Sequence, residues 1–202
     1  RAAGAAGAKL TGAGGGGAFL AAVPASACAT FVERMVARGY PPVAVVPELV
    51  WQTTVDLIRD VIHKSGADPR ETIGIGLTGY GNGMCLVDAN GNATWNCIVS
   101  TDTRGAAYAE KFAASGIERE AFQYSHQGFW AAQPAVLLPW FKDNAPEVLE
   151  RSAWVLGIKD FIRLRLTGTA ACEFTEASSW GLMNIHTLAF EPRLFELLGL
   201  ED

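Results

Sequence analysis

The spacing of apolar positions changes several times along the chain, and each change marks an element. Residues 18–23 form a short unbroken apolar run, the form of a buried strand, and Pro24-Ala25-Ser26 turns the chain. Phe31, Val32, Met35 and Val36 fall on one helical face, and Gly39 stops that helix. A second apolar run at 43–46 predicts a strand. From Pro47-Glu48 the helical period returns through Trp51, Val55, Ile58 and Ile62, until Gly66 and Asp68-Pro69 end it. Residues 73–77 predict a strand, 79–83 a glycine-rich turn and 84–87 another strand. Asn90-Gly91 supplies the positive φ values of a hairpin turn, so 95–99 is the return strand.

Beyond Thr101 helices dominate, at 103–114, 131–141 (with Pro139 near its end), after Pro146, and at 158–166 and 192–198, with a strand at 154–156 between them. The order strand, glycine turn, hairpin and helices predicts an α/β domain with a mixed sheet. Composition changes most near residues 46–50, which sets a boundary there.

Composition narrows the function classes. Half of the 202 residues are hydrophobic and 18% are charged, enough to bury a core. The net charge is −5 with no basic block, which argues against a nucleic-acid partner. No apolar run is long enough to span a bilayer, so no membrane partner is expected. Cys28, Cys85, Cys97 and Cys172 have no metal-ligand spacing, and His63, His126 and His186 are scattered. The expectation is therefore no metal site, reduced thiols and a cytoplasmic protein. The sequence begins at Arg1, as a fragment or processed product would.

In open α/β sheets ligands sit where loops meet at strand ends. Gly79-Tyr80-Gly81-Asn82-Gly83 is such a loop. Its glycines let the backbone approach a ligand, and Tyr80 and Asn82 offer a polyol an aromatic face and an amide. The competing reading is a glycine-rich hairpin that binds nothing.

From residue 48 onward the chain resembles the amino-terminal domain of the FGGY carbohydrate kinases. The matching pieces occur in order: Gly66-Ala67-Asp68-Pro69, Ile73-Gly74-Ile75-Gly76-Leu77-Thr78-Gly79, Leu86-Val87-Asp88-Ala89-Asn90-Gly91, Ser100-Thr101-Asp102-Thr103-Arg104, Gln133-Pro134-Ala135, Trp140-Phe141-Lys142 with Pro146-Glu147, residues 159–168, and Thr175-Glu176-Ala177-Ser178. The resemblance implies an incomplete ribonuclease-H-like (actin-like ATPase) domain over 48–202. It also implies transfer of the γ-phosphoryl group of ATP, with Mg2+, to a sugar hydroxyl. The Gly-Tyr-Gly-Asn-Gly and Ser-Thr-Asp-Thr-Arg pieces look most like the L-xylulose kinase branch, a pentulose type.

The same resemblance implies that Tyr80, Gly81 and Asn82 contact the sugar, and that Asp102, Arg104, Trp130 and Gln133 line the cleft. Asp102 accepts from sugar hydroxyls with Arg104 holding it bidentately, or it is only an ion pair or helix cap. Trp130 covers a C–H face of the sugar or is a core residue. Asp160, Arg163 and Arg165 read as structural, and Glu173 and Glu176 stand where the family carries aspartates and are assigned no role. No aspartate precedes Asp56, so the family's phosphate loop is unmatched, and its catalytic aspartate has no counterpart here. The expectation is part of a sugar site with no catalytic residue, inactive alone. The alternatives are a non-catalytic sugar-binding or interaction module and a remnant of a GHMP-type small-molecule kinase.

Residues 1–47 resemble the carboxy-terminal segment of the GHMP kinases, through the run Gly7-Ala8-Lys9-Leu10-Thr11-Gly12-Ala13-Gly14-Gly15-Gly16-Gly17 and the strand, helix and strand after it. That resemblance makes Gly14, Gly15 and Gly16 a phosphate-loop candidate, against a glycine-rich terminus without a ligand. Two unrelated strands then precede a sheet whose first strands are unmatched, so an open edge is expected to favour self-association.

Overall fold

The computed structural model describes residues 7–10, 19–22, 46–79 and 81–201. The chain divides into two compact units, residues 1–44 and 45–202. In the first, β1 (Gly7–Leu10) and β2 (Phe19–Ala22) pair antiparallel, with Gly7 opposite Ala22 and Leu10 opposite Phe19. The Gly14, Gly15 and Gly16 candidate, the helix expected from Phe31 and residues 43–45 lie outside the described residues.

The second unit opens with α1 (Pro47–Ser65), which has a proline in its first turn and left-handed Gly66 at its end. Then come β3 (Gly83–Val87), β4 (Ile98–Val99), α2 (Ala106–Ser115), α3 (Ile117–Ser125), α4 (Pro134–Asn144) and α5 (Pro146–Glu150). β5 (Trp154–Leu156), α6 (Ile158–Thr167), α7 (Phe174–Ser178), β6 (Met183–Asn184), β7 (Ala189–Phe190) and α8 (Pro192–Leu198) complete it.

β3 is the centre of a three-stranded sheet in the order β4-β3-β5. It is buried along its whole length because both of its faces are covered. Met84 and Leu86 point into a core made by α2 to α5 and α8, with Phe112, Val136, Leu137, Phe141, Val148 and Leu194. Cys85 and Val87 point the other way, onto Leu156 and onto Phe161, Ile162 and Leu164 of α6, backed by Val50 and Trp51 of α1. The alternation is the two-residue period of a strand. Arg165 of α6 stacks 5.0 Å over the Trp51 ring and pairs with Glu48 at 2.8 Å, which fastens α1 to α6.

Several expectations are corrected here. Residues 73–77 are not in a strand, although their pattern is that of one. A strand needs a ladder partner, and among the described residues none pairs with this segment. Its apolar side chains are consequently exposed, Ile73 fully and Ile75 by 55%. Every ladder among the described residues is antiparallel, so the expected mixed sheet is realised here only in its antiparallel part.

The reduced-thiol expectation fails for two cysteines, because Cys85 and Cys97 form a disulfide. The register explains the pairing. Gly83 faces Val99 and Met84 faces Ile98, so the next cross-strand position puts Cys85 opposite Cys97, with Cα atoms 4.5 Å apart. That is the spacing of a non-hydrogen-bonded antiparallel pair. Cys172 is a free thiol.

The return strand is shorter than its pattern, Ile98–Val99 only, with a single bridge between Val87 and Ala93 closing the hairpin turn. α3 is missed by the periodicity because Gly116 both ends α2 and begins α3, in the left-handed region at φ 84°.

Candidate functional site

Three segments converge at one end of the sheet. β3 begins where β4 ends, since Gly83 and Val99 are cross-strand partners. The glycine loop before β3 and the segment after β4 therefore leave the sheet side by side. The third segment, 129–133, is tied to both. The Gly83 N–H donates to the Ala132 carbonyl at 3.1 Å. A Cβ on Gly105 would stand 2.4 Å from the Ala131 oxygen, so only glycine allows that approach. Gly83 is equally restricted, at φ +81° with a would-be Cβ 2.2 Å from the Ile98 oxygen.

On the first segment, Tyr80 lies outside the described residues. Gly81 is exposed. Asn82 is half-buried with φ 63°, a left-handed conformation that asparagine tolerates. Its backbone N–H donates to Glu176 Oε1 at 2.9 Å, across 94 residues of sequence. Its side-chain Oδ1 is buried and accepts no hydrogen bond.

On the second segment, Asp102 and Arg104 form a bidentate pair. Arg104 Nε donates to Asp102 Oδ1 at 2.9 Å and Nη2 to Oδ2 at 3.0 Å, while the Arg104 backbone N–H donates to Oδ1 at 2.8 Å. The Arg104 guanidinium also lies 4.9 Å over the Trp140 ring, a cation–π contact. These residues line an open depression of about 470 Å³ with Val99, Thr101 and Thr103. The aromatic wall of that depression is Trp140, from α4.

On the third segment, Trp130 is 37% exposed, so it is a surface ring rather than a core one. Gln133 is fully buried at the start of α4. Its Nε2 donates to the Ser179 carbonyl at 2.8 Å, and its Oε1 accepts nothing. The structure thus brings Gly81, Asn82, Asp102, Arg104, Trp130 and Gln133 to one sheet end.

Two residues given no role on sequence grounds support this end of the sheet. Glu173 caps α7 by accepting from the Thr175 and Glu176 backbone N–H groups at 2.7 and 3.3 Å. Those bonds hold the Glu173 carboxyl below its ordinary range, the Thr175 hydroxyl contributing most. Glu176 is buried, and besides Asn82 it accepts from Trp180 Nε1 at 3.2 Å and Lys159 Nζ at 3.0 Å. Burial alone would lower the Lys159 ammonium, but the bond to Glu176 and the Asp160 charge outweigh it and hold it above its ordinary value. Cys172 is pushed up to about 12, by burial first and then by the Asp160 charge, which keeps the thiol protonated and unreactive. No periodicity marks Glu176, because two of its three partners come from other segments, Lys159 17 residues and Asn82 94 residues earlier. The one local signal is its place four residues before Trp180, whose indole N–H it accepts.

Residues 43–202 match the profile of the FGGY family of carbohydrate kinases, N-terminal domain. The chain belongs to this family. An FGGY relative, the probable L-xylulose kinase of Pasteurella multocida (strain Pm70), is 34% identical over 152 residues, covering 75% of this chain and 32% of its own. The glycerol kinase of Rhodopseudomonas palustris (strain ATCC BAA-98 / CGA009) is 30% identical over 185 residues, covering 88% of this chain and 37% of its own. That share exceeds what residues 45–202 alone supply, so the glycerol kinase likeness reaches into the first unit.

Among solved structures, a xylulose kinase from Brucella ovis superposes with a TM-score of 0.71 at 22% identity, covering 78% of this chain and 32% of that one. The sugar-kinase fold of the FGGY domain is therefore present. The chain spans about a third of the length of the FGGY relatives it matches.

Proposed function

We propose that this end of the sheet binds the acceptor sugar of an ATP-dependent carbohydrate kinase, with a pentulose such as L-xylulose as the substrate class. The observation that carries the reading is the pair of unpartnered acceptors, Asn82 Oδ1 and Gln133 Oε1, buried where the three segments meet. A buried acceptor without a donor costs about 1–3 kcal/mol. Hydroxyl groups on neighbouring carbons of a polyol are donors of the right chemistry to relieve that cost. Asp102, oriented by Arg104, has lone-pair capacity left for a further hydroxyl. Trp130 offers its exposed ring to the C–H face of the sugar, and Tyr80 and Gly81 belong to the same loop.

The name of the Pasteurella multocida relative, L-xylulose kinase, supports the pentulose assignment. Mg2+–ATP would supply the phosphoryl group in such a kinase. Among the described residues no group of three or more His, Cys, Asp or Glu is arranged as an all-protein metal site; Mg2+ in a kinase is held by one or two carboxylates together with the nucleotide phosphates. The role we assign to Asn82, Asp102, Trp130 and Gln133 is toward the acceptor sugar, and we propose residues 1–47 as a GHMP-kinase-like segment with Gly14, Gly15 and Gly16 at a phosphate.

Titration calorimetry with L-xylulose, D-xylulose, erythritol and glycerol tests this reading. Saturable heat is expected with a pentulose, strongly reduced in Asn82→Ala. Absence of heat with all four compounds refutes it.

A further inference from the structure

Resting on that reading, we propose that Glu176, clamped by Lys159, is a positioning residue that fixes the sugar loop in its binding conformation. The loop has three glycines between 79 and 83, so its backbone has much freedom to lose on ordering. Lys159 and Glu176 bracket it from both ends. At one end, the Lys159 side-chain stem lies against Gly79, where a Cβ would stand 3.3 Å from Lys159 Cβ. At the other, Glu176 Oε1 takes the Asn82 N–H at 2.9 Å. The two are joined by the Lys159 Nζ to Glu176 Oε2 bond of 3.0 Å.

The surroundings are built for a carboxylate at this point. Gly157 leaves room for it, since a Cβ there would stand 3.1 Å from both Cγ and Cδ of Glu176. Trp180 Nε1 donates to the same Oε1 that holds Asn82. The three donors to Glu176 come from the glycine loop, from the first turn of α6 and from the residues after α7. A buried ion pair adds little net stability over well-packed apolar residues. Its geometric effect is specific: it sets the place and the left-handed turn of Asn82, and so aims the unpartnered Oδ1.

The experiment compares wild type with Glu176→Gln, Glu176→Leu and Lys159→Met. L-xylulose affinity is read by calorimetry, and the Asn82 amide by its 15N–1H shift and hydrogen exchange. In Glu176→Leu the affinity is expected to fall at least tenfold and the Asn82 amide to exchange at least tenfold faster. Glu176→Gln keeps an acceptor for Asn82 and is expected to restore affinity to within about threefold, with an upfield amide shift from loss of the charge. Lys159→Met falls between the two and serves if Glu176→Leu does not fold. Unchanged affinity and Asn82 exchange in Glu176→Leu and Lys159→Met overturn the proposal. If wild type binds no sugar, the sugar assignment falls by itself. The bracket is then decided on Asn82 exchange alone, and an amide indifferent to Glu176→Leu overturns it.

Discussion

Replacing Gly83 by alanine separates the demands of the glycine loop before β3 from those of an ordinary hairpin. Gly83 sits at φ +81°, where an L side chain costs about 1–2 kcal/mol. The new Cβ would stand 2.2 Å from the Ile98 oxygen, more than 1 Å inside the separation of about 3.5 Å at which non-bonded heavy atoms begin to attract. Relief requires β3 and β4 to part at their first pair. Their ladder has only two registered pairs, so little of it survives, and each lost hydrogen bond costs about 0.5–1.5 kcal/mol. The sum is about 3 kcal/mol, or a melting temperature about 6–12 °C lower for a unit of this size.

Gly81→Ala is the internal control. A Cβ there meets nothing nearer than Ser179 Oγ at 4.0 Å, and a change of about 0.5 kcal/mol or less is expected. Thermal melts by circular dichroism decide between them, with calorimetry showing loss of L-xylulose binding in Gly83→Ala only. Equal melting temperatures for the two variants would refute the claim that the loop is seated against β4.

Reduction of the Cys85–Cys97 disulfide opens a loop of a length worth roughly 3 kcal/mol; urea unfolding with and without reductant should show that loss, and identical midpoints with the linked peptide demonstrably reduced would contradict it. Asp88 accepts the Asn90 and Asn92 N–H groups at 2.8 Å each, and its pKa lies below the ordinary aspartate value of 3.8, the Asn92 backbone bond contributing most. With a folded value below the unfolded one, its stabilisation is present above pH 3.8 and fades as pH falls through the folded value. Acid unfolding curves of wild type and Asp88→Asn should therefore differ at pH 6 and converge below that window. The exposed Ile73 and Ile75, on a segment that pairs with no strand among the described residues, are expected to drive association of copies of this chain; light scattering should show concentration-dependent oligomers that Ile75→Lys shifts toward monomer, and an unchanged distribution would count against it.

What the sequence determined by itself was the set of elements whose residues carry their own local signal. β3, β5, α1, α6 and α8 follow from apolar period, proline starts and glycine stops, all of which act over a few residues. The Asp88 turn was legible for the same reason, and so was the FGGY resemblance, which rests on short pieces in fixed order. Tertiary structure alone decided whatever needs a partner from far along the chain. Residues 73–77 have the pattern of a strand, yet a pattern cannot supply a neighbour to hydrogen-bond. Cys85 and Cys97 became a disulfide through strand register, which spacing did not reveal. Glu176 looked like a departure from the family, and it became the buried acceptor for Asn82 only when the chain returned from 94 residues away. Local signals fix backbone conformation, whereas the placement of a buried charge depends on which distant donors the fold brings to it.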